Sequence, residues 1–239
     1  MVDLKQKPYF LNDEQIKYVK DKIKEMSIED KIGQLFFVVG QDSDTVNLSE
    51  FTKKYRPGGI MYRPDKAEKI KAEVNEIQES SDIPLFVAAN LESGGNGIAS
   101  EGTWVGTPME MAATGDSQSA YQLGKISGYE AAQVGANMSF APIVDIDMNF
   151  RNPIMNVRTF GSDRNRVIEM SSAQARGLEE CGIIPVVKHF PGDGVDERDQ
   201  HLLSSVNSLQ ADEWMESYGR IYRSLIDGGI PAVMIAHIL

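Results

Sequence analysis

One cysteine, Cys181, in 239 residues leaves no partner within the chain, so an internal disulfide is excluded and a buried structural thiol beside Gly182 is expected. Positive charge is also scarce: 24 Lys and Arg stand against 35 Asp and Glu, for a formal net charge of -11. Such a surface repels nucleic acid and anionic membrane alike, which leaves a small molecule as the expected partner. No apolar run approaches the length of a membrane span, and residues 1–8 hold no apolar core of signal-peptide length, so a cytoplasmic protein is expected. Missing too are a Walker loop and a G-x-G-x-x-G after the first strand-like run. Gly94-Gly95-Asn96-Gly97 is glycine-rich but lacks the strand-turn-helix order of a phosphate cradle, and no cofactor is expected.

What is present is an ordinary globular share of hydrophobic residues, 41%, in a chain long enough for one large domain and without a visible linker. Short apolar, β-branched runs at 35–39, 60–62, 84–89, 138–144, 183–187 and 232–237 read as strands buried on both faces. Between them, residues 47–55, 65–80, 116–134, 163–181 and 209–228 have helical spacing or capping signals. Ahead of the first strand lie a helix over 12–26, with Ile16, Val19, Ile23 and Met26 on one side, and a shorter one opening at Ser27. Strand and helix alternate six times, as right-handed β-α-β units do. The long polar loops after the third, fourth and fifth strands fall on one face, which predicts an α/β fold of the TIM-type (β/α) barrel. Residues 1–26 read as a helical extension, and residues 27–239 as an incomplete barrel with about six of its eight β/α units.

The fifth strand runs into Lys188-His189-Phe190-Pro191-Gly192-Asp193-Gly194, and Pro191 with the two glycines ends it in a polar loop reaching His201. Sites in α/β proteins are built at that end of a strand. Asp199 and His201 lie two apart, which in an extended segment puts both side chains on one face. A carboxylate there would fix the imidazole's tautomer and favour its protonated form, making a proton donor and acceptor. Lys188 and His189 occupy the last positions of an apolar strand, where a cation needs a partner or a ligand. Other readings stay open: a solvated acidic loop, a structural lysine paired to a carboxylate nearby, or a metal site from Asp193, Asp196, Asp199 and His201, whose spacing matches no known metal loop.

Three segments resemble glycoside hydrolase family 3, and within it the β-N-acetylglucosaminidase branch. Lys188 to Gly194 with Asp199-Gln200-His201 is similar to that branch's K-H-F-P-G-H-G loop and downstream D-S-H. Phe140-Ala141-Pro142-Ile143-Val144-Asp145 with Arg158-Thr159-Phe160-Gly161 resembles its F-A-P-V-x-D and R-S-F-G elements, and Asn90-Leu91-Glu92-Ser93-Gly94-Gly95 its D-Q-E-G-G. The resemblance implies release of a terminal β-linked N-acetylglucosamine with retention, His201 serving as acid/base and Asp199 as its partner. Lys188, His189 and Arg158 would hold sugar hydroxyls, and Asn90 stands where the family carries a sugar-binding aspartate. A retaining glycosidase also needs a carboxylate nucleophile opposite the acid. In this family it is an aspartate after the seventh strand, so residues 1–239 by themselves are expected to be inactive. Asp193 replaces the branch's second loop histidine and adds negative charge near His201, and Asn96-Gly97 stand where an arginine follows the Gly-Gly pair.

The leading expectation is therefore a family 3 β-N-acetylhexosaminidase acting on a small carbohydrate, with the incomplete barrel also offering a surface for self-association. Three alternatives accompany it. A phosphorylase would use the same site, because a histidine acid/base is less repulsive to phosphate than a carboxylate. A sugar-binding barrel would retain the cleft without turnover. A metal-dependent hydrolase would lose activity to a chelator.

Overall fold

The computed structural model describes residues 3–6, 9–40 and 46–239, so the expectation for the extreme N-terminus lies partly outside the described residues. Six parallel strands form one sheet in sequence order: β1 (Phe37–Val39), β2 (Gly59–Met61), β3 (Phe86–Ala89), β4 (Met138–Ser139), β5 (Ile184–Phe190) and β6 (Ala232–Ile235). Each new strand pairs with the one before it, and the sheet curls into a half-barrel of the TIM type. Successive crossovers are helical: α3 (Leu48–Tyr55), α4 (Ala67–Glu79), α6 (Ser117–Gln133), α7 (Arg164–Glu179) and, before β6, α8 (Ala211–Trp214) leading through a π-helical turn into α9 (Arg220–Asp227).

Apolar periodicity drives this arrangement. Ile70, Val74 and Ile77 of α4 pack with Val87 of β3 and Ile60 of β2 in one cluster. Val167, Met170 and Ala173 of α7 join Val187 of β5 with Tyr218, Ile221 and Leu225 in another. Each such aliphatic side chain, fully buried, contributes about 1.5–3 kcal/mol. Polar caps fix where helices begin: Asn12 and Gln15 form a reciprocal box at α1 (Asp13–Glu25), and Ser27 and Asp30 do the same at α2 (Ile28–Gly33).

Several boundaries differ from the sequence reading. Leu35 and Phe36 belong to the turn leaving α2, where their N–H groups bond Ile32 and Gly33, so β1 starts at Phe37. β4 is two residues long because Pro142 cannot donate to the ladder; Ile143 regains contact with β5 only as an isolated bridge to Lys188. β5 instead runs past Lys188 and His189 to Phe190, with a bulge between Val187 and Phe190. The loop after β3 contains a short helix, α5 (Pro108–Ala113), capped by Thr107. In α1 the apolar side is half-buried at Ile16 and Val19, while Ile23 is 52% exposed. Cys181 lies just past α7 and is half-buried, its Sγ donating to the Lys125 carbonyl.

Among the described residues no helix is long and apolar enough to cross a membrane, and no group of three or more His, Cys, Asp or Glu is arranged to hold a metal ion. A cleft of about 430 Å³ lies at the N-terminal ends of the strands, between Gln34, Arg56, Pro57 and Leu85. In barrels of this kind that end carries stability rather than chemistry.

Candidate active site

At the opposite end, residues following β3, a residue of β5 and the turn at Arg158 converge on one carboxylate. Glu92, just past β3, accepts two hydrogen bonds from Arg158, at 2.8 Å from Nε and 2.9 Å from Nη2. On Oε1 it also accepts Lys188 Nζ from β5, at 2.7 Å. Lys188 is 3% exposed and gives a further bond to Asn90 Oδ1 at 3.0 Å, which leaves the Asn90 amide nitrogen free to donate. The cation expected to need a partner has one, and it reaches across β4 to find it. Glu92, Asn90, Arg158, Asn96, Tyr62 and Arg63 line a cleft of about 500 Å³, roomy enough for a monosaccharide.

Burial by itself would raise the Glu92 pKa, but the Arg158 hydrogen bonds and the charges of Lys188 and Arg158 outweigh it and hold the carboxyl at about 2. For Lys188, burial is the larger influence and pushes its ammonium below the usual range, with Glu92 opposing. A carboxyl whose folded pKa is depressed stabilises the fold above its unfolded value, near 4.5, and loses that contribution as pH falls toward 2. The shift corresponds to about 3 kcal/mol. Urea melts of the wild type and Glu92→Gln at a series of pH values should show a stability gap that is full at pH 5 and mostly closed by pH 2.5. A gap independent of pH would mean that the ion pairs do not set the Glu92 pKa.

A second carboxylate organises the neighbouring loops. Asp145, fully buried at the end of the segment after β4, accepts the His189 ring Nδ1 at 2.6 Å and the Asp193 backbone N–H at 2.7 Å. With Nδ1 so engaged, His189 keeps Nε2 for another partner. Asp193 is itself buried: Asn152 and Gln200 donate to its two carboxylate oxygens at 2.8 and 2.7 Å, and Tyr218 Oη donates to its carbonyl. Burial first, and the Asp145 charge after it, raise the Asp193 pKa. Its negative charge is thus directed at two amides rather than at His201. Gly194 has φ +97°, and a Cβ there would lie 2.0 Å from the Ile146 carbonyl oxygen, so only glycine allows the two loops to approach so closely.

Asp199 and His201 do pair, at 2.7 Å between Oδ1 and Nδ1, but the backbone is a turn and not an extended segment. The same Asp199 oxygen accepts the His201 backbone N–H at 2.8 Å, an Asx turn, and the Leu202 and Leu203 N–H groups close on the Asp199 carbonyl. The hydrogen bonds from His201 lower the Asp199 pKa. The imidazole is 67% exposed, so the pair sits on an outer loop above the buried cluster.

Of the residues singled out from sequence, Asn90, Arg158 and Lys188 meet around Glu92, His189 joins Asp145, and the Asp199–His201 pair forms a separate unit. Sequence reasoning quoted Glu92 and Asp145 inside motifs without giving either a role. The available signal was an acidic residue at the end of an apolar run, directly after it for Asp145 and three residues beyond it for Glu92.

Fold and site together define a TIM-like α/β barrel with a polar centre at the C-terminal ends of its strands. Residues 27–239 match the glycosyl hydrolase family 3 N-terminal domain, and the chain belongs to that family. A protein from Cellulomonas fimi described as a β-N-acetylglucosaminidase/β-glucosidase is 42% identical over 239 residues, 100% of this chain and 42% of that protein. A structure of the β-glucoside phosphorylase BglX bound to 2FGlc has 48% identity and a TM-score of 0.95, covering 98% of this chain and 43% of that one. A family 3 β-N-acetylglucosaminidase from Paenibacillus sp. has 28% identity and a TM-score of 0.82, covering 90% and 42%. The chain therefore spans less than half the length of these relatives.

Proposed function

We propose that the full-length protein cleaves a terminal β-linked sugar, N-acetylglucosamine or glucose, with retention of configuration. One observation carries this reading: an imidazole paired to a carboxylate on an accessible loop that follows β5, at the same C-terminal face of the sheet as the cleft lined by Asn90, Glu92 and Arg158. His201, protonated, gives its proton to the glycosidic oxygen as the bond to the anomeric carbon breaks. Asp199 holds the ring and stabilises its charge. Arg158, Lys188, His189 and Asn90 supply hydrogen bonds to sugar hydroxyls. Neither internal carboxylate suits the nucleophile: Asp145 has no exposed surface, and Glu92 is held by two cations. The nucleophile is assigned to the strand that follows β6 in the barrel, as the family resemblance implies.

In the second half of the reaction neutral His201 can take a proton from water, giving hydrolysis. Phosphate can replace water as acceptor, and the similarity to BglX, at 48% identity against 28% for the Paenibacillus enzyme, favours this second reading. Phosphate brings its own negative charge, which an imidazole tolerates better than a carboxylate would. Turnover of aryl β-N-acetylglucosaminide and aryl β-glucoside, measured in phosphate and in a non-nucleophilic buffer, separates the two. A rate that climbs with phosphate and yields sugar 1-phosphate establishes the phosphorylase. Equal rates with free sugar as product establish the hydrolase. Absence of turnover on both substrates, with sugar still bound by calorimetry, overturns the catalytic reading.

A further inference from the structure

Between the two members of the dyad sits Gln200, which turns the other way. It is 9% exposed while His201 stands out from the surface, and its Nε2 donates to Asp193 Oδ2 at 2.7 Å. The group it holds is immobile by construction. Every polar atom of Asp193 is engaged: the N–H by Asp145, the carbonyl by Tyr218, one carboxylate oxygen by Asn152 and by the Gly194 N–H at 2.6 Å, the other by Gln200. Asp145 in turn holds His189. A single line of hydrogen bonds thus runs from His189, through Asp145 and Asp193, to the residue flanked by Asp199 and His201. Elsewhere the loop is tied before the dyad, where Asn149 and Asn152 donate to the Val195 and Asp196 carbonyls at 3.0 and 2.8 Å and Glu197 makes an exposed contact with Arg151 at 3.7 Å, and after it, where the Val206 N–H bonds Asp196 Oδ2 at 2.8 Å.

We propose that Gln200 is a positioning residue, its amide clasping the Asp193 carboxylate so that Asp199 and His201 are held in fixed register with the sugar cleft. The proposal rests on the acid/base assignment above for its kinetic consequence, but not for its structural one. A proton donor displaced by an ångström loses much of its effect, so the clasp should matter only where a proton is needed. Cleavage of a β-linked disaccharide needs one, because the leaving alkoxide is a poor leaving group. Cleavage of a 2,4-dinitrophenyl glycoside does not.

In the full-length protein, Gln200→Ala is expected to lower kcat/KM for N,N'-diacetylchitobiose by up to roughly a hundredfold, with the 2,4-dinitrophenyl β-N-acetylglucosaminide value held within about twofold because its leaving group needs no proton. Gln200→Glu, which sets two carboxylates against each other, should do at least as much damage. Adding Asp193→Asn restores a donor and acceptor in reversed order and should recover most of the loss. Equal losses on both substrates, or failure of the reversed pair to rescue, overturn the proposal. Hydrogen exchange supplies the readout that does not depend on the chemistry: amides of residues 199–206 exchange faster in Gln200→Ala. If they do not, the clasp is refuted even where His201→Ala behaves as an acid/base variant should. If His201→Ala shows no dependence on leaving group, the acid/base reading falls and exchange alone decides the clasp.

Discussion

Glu92→Ala should lower the stability of the full-length protein by roughly 3–5 kcal/mol, because it removes the counter-charge from a buried ammonium. Lys188 would keep only Asn90 at 3.0 Å, and Arg158 would lose both of its bonds to the carboxylate. For a domain of this size the loss corresponds to a Tm fall of roughly 6–20 °C, read by calorimetry or by circular dichroism. The cause can be separated from simple loss of packing. If the stranded Lys188 charge is responsible, Glu92→Ala combined with Lys188→Met should recover a large part of the stability, since replacing a whole buried pair by apolar groups is often neutral. A double variant no more stable than the single one would place the loss in packing instead.

The second large effect is catalytic. His201→Ala should reduce kcat/KM on a disaccharide by about 10²–10⁴, the usual contribution of a positioned proton donor. For the 2,4-dinitrophenyl glycoside kcat/KM should hardly change, since bond breaking there needs no acid. With water as acceptor kcat on this substrate should also fall, because the imidazole is then the base of the second step; with phosphate it should fall less. A uniform loss across leaving groups would remove His201 from the proton-transfer role and leave it a structural part of the loop. Asp199→Ala should follow the same pattern more mildly, because the ring keeps its chemistry and loses its orientation.

The order of strands and helices was readable in the residues because each β-branched run is short, apolar and bounded by glycine, proline or a cap. Boundaries set by tertiary contact were not. Pro142 interrupts a run that looks continuous, and the apolar side of α1 is only partly covered, with Ile23 left exposed. The same division runs through the site. The Asp199–His201 pair is local, formed within three residues by an Asx turn, and composition plus spacing suffice to find it. The Glu92–Lys188 pair joins residues 96 apart and the Asp145–His189 pair residues 44 apart, and only closure of the sheet brings either together. Gln200 is the hardest to read, since a glutamine between two catalytic candidates gives no sign in sequence of facing inward.

The lacing of Asp145, Asp193 and Gln200 also divides the site into parts that can drift at different rates over evolution. The Glu92 cluster, proposed above to hold the sugar, joins the end of β3, β5 and the turn at Arg158, where a substitution disturbs the fold as well. The proposed dyad hangs on an outer loop whose other ties, from Asn149 to the Val195 carbonyl and from Asn152 to the Asp196 carbonyl, stop short of Asp199, so that Gln200 is the inward contact nearest to it. On the function proposed above, a lineage can exchange the tip of this loop, and with it the acceptor of the sugar, while inheriting the Glu92 cluster unaltered. The mixture of glucosidase, acetylglucosaminidase and phosphorylase names among its relatives is what a family built on such a hinge of inheritance would be expected to accumulate.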